Sequence, residues 1–172
     1  MRAIKPSATF KKLIECIKSL AYAFIVFLLL YIFLWPVSID GVSMEPVVNH
    51  NDRVFISRAL GFLSGYERGD IVLVKAYYNA DRKYIIKRIA AVPGDELLIE
   101  NGKTLVNGDP FAYHNEHFVE GNFSLVLPEG NYFLMGDNSA FSFDSRSFGP
   151  VSKKDIEGKV LFRFFGGSPR IR

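Results

Sequence analysis

A mainly β domain, folded over on itself into a compact β-barrel-like shape and preceded by one N-terminal transmembrane helix, is the architecture this sequence predicts. Three observations carry that expectation. Ser19–Ile39 contains no charged residue. Beyond it, short runs of Val, Ile, Leu, Phe and Tyr alternate with clusters of Gly, Asn, Asp and Pro, the pattern of many short strands joined by turns. The chain has 172 residues, enough for one domain of ordinary size behind the apolar stretch.

The apolar stretch comes first. Its core, Leu20–Val37, reads LAYAFIVFLLLYIFLWPV. At about 1.5 Å per residue, a helix over Ser19–Ile39 spans roughly one bilayer core of ~30 Å. Every helical face is apolar, as lipid requires, and Tyr31 and Trp35 stand towards the far interface. Pro36 discourages further helix. The run is too long for most core helices, and Trp35-Pro36-Val37 is a poor signal-peptide cleavage site, so an uncleaved anchor is expected. Residues 1–39 carry +4, with Arg2, Lys5, Lys11, Lys12 and Lys18 against Glu15. That excess keeps the N-terminus cytoplasmic. The expected division is a basic cytoplasmic N-terminus over 1–19, an anchor over 20–38 and an extracytoplasmic domain over 39–172. The whole chain is +3, so the remainder is close to −1. A nucleic-acid surface needs concentrated positive charge, and none is left for it. Cys16 is the only cysteine, so no disulfide supports the domain.

Strands are expected over Arg53–Ser57, Asp70–Lys75, Tyr84–Ala91, Glu96–Glu100, Phe123–Leu127, Tyr132–Met135 and Lys159–Phe165. Asn101-Gly102 and Asn107-Gly108 are turn signals, so ELLIENGKTLVNG reads as a hairpin. A short helix fits Ser152–Glu157, with Ser152 as cap.

Four segments carry chemistry: Asp40–Pro46 (DGVSMEP), Tyr84–Asp95 (YIIKRIAAVPGD), Gly136–Ser139 (GDNS) and Phe141–Arg146 (FSFDSR). A serine hydroxyl is a poor nucleophile and needs a base. Lysine serves only when neutral, and at pH 7 a free lysine is unprotonated about once in 2,500. Apolar burial lowers its pKa. On a strand, Ile85, Lys87 and Ile89 share one face and Ile86 and Arg88 the other, so Lys87 falls on an apolar face.

Together, in this order and behind an anchor, the segments resemble type I signal peptidase, the membrane-bound serine–lysine endopeptidase family S26. Ser43-Met44-x-Pro46 is similar to the box around the family's nucleophile, and Lys87-Arg88 with Pro93-Gly94-Asp95 to the box around its lysine. Gly136-Asp137-Asn138 with Asp144-Ser145-Arg146 is similar to its C-terminal box. The resemblance implies that Ser43 is the nucleophile and Lys87 the general base. It implies that Ser142 orients the lysine ammonium, and that Asp137, Arg88, Asp144 and Arg146 hold the walls of the site together. It makes Ile39, Met44, Val48 and Ile86 the lining of shallow pockets for small P1 and P3 side chains. The implied substrates are exported preproteins with small-x-small cleavage sites, cut at the bilayer by a single chain without metal or cofactor. One family branch places a serine at the position of Gly41, two residues before the nucleophile; this chain lacks that oxyanion donor. Phe141 replaces a polar neighbour of Ser142.

Other readings are open to the same residues. The Ser142–Pro150 region is also similar to conjugative-transfer peptidases of the same superfamily, which would narrow the substrate to a propilin. An inactive tethered β-domain that binds secreted proteins is a third class. A Ser43–His50–Asp52 triad is disfavoured by the polar turn around His50. His114 and His117 lack further ligands for a tetrahedral metal site and read as a surface loop.

Overall fold

The computed structural model describes residues 8–78, 81–100, 102–113 and 122–164. His114 and His117 lie outside the described residues. The chain divides into two compact units, Met1–Trp35 and Pro36–Arg172.

The first unit is a single helix, α1 (Ala8–Phe33). It starts well before residue 20, so Lys11, Lys12 and Lys18 are helical residues rather than a separate tail, and Lys18 pairs with Glu15 one turn away at 3.2 Å. Thr9–Tyr31 is long and apolar enough to cross a membrane, with a mean hydropathy of 2.2, and none of that window is buried in protein. A core helix would be covered; this one is not. The helix ends before Pro36.

Beyond α1 the described residues form eleven strands, β1 (Trp35–Ser38), β2 (Arg53–Ser57), β3 (Ile71–Tyr78), β4 (Asp81–Ala91), β5 (Glu96–Glu100), β6 (Lys103–Val106), β7 (Asp109–Pro110), β8 (Phe123–Val126), β9 (Asn131–Met135), β10 (Val151–Ser152) and β11 (Ile156–Phe164). They form two sheets, in the orders β1-β2-β11-β3-β4-β9-β10 and β7-β6-β5-β8. The expectation of a mainly β domain holds. The barrel-like domain is folded over as two open sheets among the described residues: β5 takes β6 and β8 as its partners and so builds its own sheet, while β1 and β10 are edges of the larger one. The hairpin expected around Gly102 pairs Glu100 with Lys103 and Leu97 with Val106.

β4 is the strand that serves both the core and the site. Among the described residues its first half pairs only with β3, whereas its register with β9 begins at Arg88. Both faces of β4 are covered. Ile86 joins Ile39, Met44, Val48, Val54, Ile56 and Leu73 in one cluster, and Ile89 joins Val72, Val74 and Leu134 in another. A third cluster, with Leu97, Ile99, Leu127, Phe133 and Met135, contains residues of both sheets.

Two helices escape the strand pattern. In α2 (Arg58–Ser64), the Leu60 N–H donates to the capping hydroxyl of Ser57 at 3.3 Å. In α3 (Ser145–Phe148), the Arg146 N–H donates to the capping carboxylate of Asp144. The helix expected over Ser152–Glu157 contracts to one 3-10 turn, Lys153–Asp155, because Ser152 forms no side-chain cap and Ile156 already pairs with Val74 in β11.

Phe133 is 1% exposed and packs among residues of both sheets. Phe133→Ala is expected to cost about 3–5 kcal/mol, read as a lower urea midpoint with an unchanged slope.

Candidate active site

Ser43 sits in the turn-rich segment that follows β1, with no ladder of its own. It is held from outside. The Asn138 N–H donates to the Ser43 carbonyl at 3.0 Å, and the Asn138 side-chain amide donates to the Val42 carbonyl at 3.1 Å. Gly136 lets the two segments meet. A Cβ there would overlap the Ser142 side chain and the Ser43 carbonyl oxygen, so only glycine permits this approach.

Lys87 lies opposite on β4, 3% exposed, with its Nζ donating to Ser43 Oγ at 2.6 Å. Burial pushes its pKa from 10.5 down to about 8. The charges of Asp144 and Asp137 pull it back up, and Arg146 opposes them. At pH 7 about one molecule in ten then carries a neutral lysine, against one in thousands for a free side chain. Serine and lysine, 44 residues apart in sequence, thus form a nucleophile and a desolvated amine in contact.

Asp144, 0% exposed, organises the surrounding wall. It accepts from Ser142 Oγ at 2.7 Å, from the Gly136 N–H at 2.9 Å and from Arg146 at 2.8 Å. Burial pushes its carboxyl up, but the Arg146 hydrogen bonds and charge, the Ser142 hydroxyl and the Gly136 N–H outweigh that and hold it below the usual carboxylate range. Arg88 and Asp137 form a second buried pair, bidentate at 2.7 and 2.6 Å. The remaining Arg88 nitrogen donates to the Gly69 carbonyl at 2.7 Å, and its guanidinium lies 4.6 Å from the Tyr113 ring centre.

All seven polar residues expected from the sequence therefore fall in one connected region. Ser142 donates its hydroxyl hydrogen to Asp144, which leaves its oxygen able to accept from an ammonium. Of the apolar residues, Ile39, Met44 and Ile86 line a cleft of about 190 Å³ that contains Ser43 and Lys87. Val48 is 2% exposed and supports that lining from within the same cluster. Sequence reasoning missed Leu73, Tyr84 and Ile85 as further lining; the neighbours of Ile86 on an apolar strand were the available signal. It also missed the clamp by Asn138. The alternative triad does not assemble. His50 Nδ1 accepts from the Gly41 N–H at 3.2 Å and lies 3.4 Å from Asp40, while Asp52 binds the Asn49 N–H and Arg163.

The fold brings a serine hydroxyl and a desolvated amine into contact, an arrangement with the parts that serine-based hydrolysis requires. Comparison with known proteins places it further. The family described as signal peptidase, peptidase S26, matches residues 13–165. Signal peptidase IB of Staphylococcus aureus is 33% identical over 90% of this chain and 91% of its own length. Signal peptidase I S of Bacillus subtilis (strain 168) is 31% identical over 90% of each. A solved signal peptidase I from Enterococcus faecalis V583 is 27% identical, covers 56% of this chain and 97% of that one, and superposes with a TM-score of 0.47. The chain belongs to the S26 signal peptidase family, and it is a peptidase.

Gly136→Ala is expected to displace Ser43 relative to Lys87 and to lower kcat about 100-fold, with secondary structure retained by circular dichroism. Lys87→Met removes a buried charge whose depressed pKa costs the folded state on the order of 3 kcal/mol below pH 8. The unfolded lysine binds its proton up to about 10.5, so the cost is constant below pH 8 and relieved as pH rises from there. The variant should melt several degrees higher at pH 7 and lose activity, and the stability gain should shrink by pH 10.

Proposed function

We propose that this chain is a membrane-anchored signal peptidase that cuts N-terminal signal peptides from exported preproteins. The observation that carries the reading is the 2.6 Å contact between Lys87 Nζ and Ser43 Oγ, with the lysine almost wholly out of water. Neutral Lys87 takes the hydroxyl proton as Ser43 Oγ attacks the scissile carbonyl carbon. The Ser43 backbone N–H faces the developing oxyanion. When the C–N bond breaks, the lysine ammonium returns the proton to the leaving amine and an acyl-enzyme remains. Lys87 next takes a proton from water, the hydroxide attacks the ester carbonyl, and the serine leaves with a proton from the lysine. Asp144, Arg146, Arg88 and Asp137 keep the wall in register, and Ser142 tunes the Asp144 carboxylate beside the ammonium.

The cleft is small and apolar, bounded by Ile39, Met44 and Ile86. Small P1 and P3 side chains fit it, and bulky ones meet a steric cost. The N-terminal positive charge supports a cytoplasmic N-terminus, with 39–172 on the extracytoplasmic side and 20–38 in the bilayer. The enzyme works as a single chain.

The test is cleavage of a purified preprotein carrying Ala or Phe at P1 and P3. Ala substrates should be cut, Phe substrates should be refused, and Ser43→Ala or Lys87→Ala should abolish the reaction with the fold intact. In the linear acid limb, kcat/KM should fall about tenfold per pH unit below pH 8, because only the neutral lysine accepts the proton. A profile flat down to pH 4, or full activity in either variant, overturns the assignment.

A further inference from the structure

One side chain from the four-stranded sheet reaches the wall of the site. Tyr113 follows β7, whose register with β6 pairs Val106 with Asp109 and Leu105 with Pro110. The chain stays on that sheet up to the tyrosine. The Phe111 N–H donates to the Thr104 carbonyl at 2.9 Å, and buried Phe111 belongs to the cluster of Leu97, Ile99 and Val106. The Tyr113 ring leans on Phe111, with ring centres 5.4 Å apart. Its other neighbours belong to the site. A Cβ at Gly69 would come within 3.3 Å of the Tyr113 hydroxyl and 3.4 Å of its ring, so the ring lies against a turn that glycine leaves open. The Arg88 guanidinium stands 4.6 Å from the ring centre.

These contacts complete the surroundings of Arg88. Its N–H groups point to Asp137 and to the Gly69 carbonyl, which leaves the flat faces of the guanidinium to be covered. Tyr113 covers one of them. An aromatic face attracts a cation electrostatically, and more strongly as water is excluded. Arg88 is only 8% exposed. Asp137, its partner, stands between two residues that hold the nucleophile's segment. Gly136 lets Ser43 approach, and the Asn138 N–H donates to the Ser43 carbonyl. A guanidinium that tilts or takes up water loosens Asp137, and with it the turn behind the nucleophile. The described residues that line the cleft do not include Tyr113, so it acts through Arg88.

We propose that Tyr113 is a positioning residue for the serine–lysine chemistry: its ring, carried by the smaller sheet, holds the Arg88 guanidinium on Asp137 and so fixes the turn that presses Ser43 onto Lys87. Simple packing would be served by any apolar side chain of similar size. A ring face on a guanidinium specifies electron density as well as shape. The proposal rests on the Ser43–Lys87 reading above, and its test separates the two.

The full chain is assayed in detergent micelles on a preprotein. Tyr113→Leu is expected to lower kcat about tenfold with KM within about twofold, whereas Tyr113→Phe and Tyr113→Trp retain most of the activity. Replacing Tyr113 by phenylalanine with one, two and then three ring fluorines withdraws electron density at nearly constant shape, and should lower kcat stepwise. The acid limb of kcat/KM reports the same contact. Asp144, Asp137 and Arg146 are the charges that act on Lys87, and Asp137 pulls its pKa upward. A loosened Arg88 leaves more of that pull and admits water, so Tyr113→Leu should move the limb to higher pH by about half a unit. Equal rates across the fluorinated series, or an unmoved limb in Tyr113→Leu, make the ring ordinary packing and overturn the proposal. A change confined to KM makes Tyr113 a substrate contact and overturns it too. Cleavage retained by Ser43→Ala removes the serine–lysine reading and the proposal with it. Cleavage lost in Ser43→Ala beside a flat fluorinated series overturns the role of the ring alone.

Discussion

The site depends on keeping water away from one amine. Lys87 can act as a base near neutral pH only while the surrounding β-sheet and the Ser43 loop cover it, and that cover comes from elements far apart in the chain. β4 presents the lysine and β1 leads to the serine. The Gly136–Asn138 turn presses the serine segment down, and Asp144 fixes that turn through the Gly136 N–H. A shift in any of them admits water, raises the lysine pKa and protonates the base. Stability and basicity therefore oppose each other at this position, because the burial that keeps the amine neutral is what costs the fold when it is charged.

Two buried carboxylates illustrate how the fold limits its own electrostatics. Asp144 and Asp137 both lie close enough to pull the Lys87 pKa upward. Left unpaired, they would undo the desolvation. Each is instead engaged by its own arginine, Arg146 and Arg88. The carboxylates thus serve as hydrogen-bond acceptors for the wall while most of their charge is answered elsewhere. Arg88 sits next to Lys87 in sequence, yet the alternation of β4 sends the two cations to different partners.

Much of this was legible in the sequence because it rests on local pattern. The uncharged run before Asp40, the hairpin around Gly102 and the apolar alternation about Lys87 each express a single period or a turn type. The chemical residues were legible through their grouping into four segments. What escaped depended on contacts between distant segments. Nothing local to Ser142 says that its hydroxyl donates to Asp144. The clamp from Asn138 onto Val42 and Ser43 spans most of the domain. Many short strands left a closed and a folded-over β architecture both open, and the choice of β6 and β8 as partners for β5 decided for two open sheets. α2 was missed because Arg58–Ser64 is too short to display a helical period, and its Ser57 cap lies at the end of a strand.

The incomplete pairing of β4 has a further meaning. Among the described residues its first half has β3 on one side only, and β1 is the last strand of its sheet; residues of both line the cleft. Backbone donors and acceptors along two strand edges thus border the same opening. An extended peptide laid there would be gripped by its main chain, which every sequence shares, and screened by side-chain size at only a couple of positions. Such a reader is blind to most of the text it cuts. One enzyme could then serve many unrelated chains, provided that each arrives unfolded and free of a proline where the ladder needs an N–H.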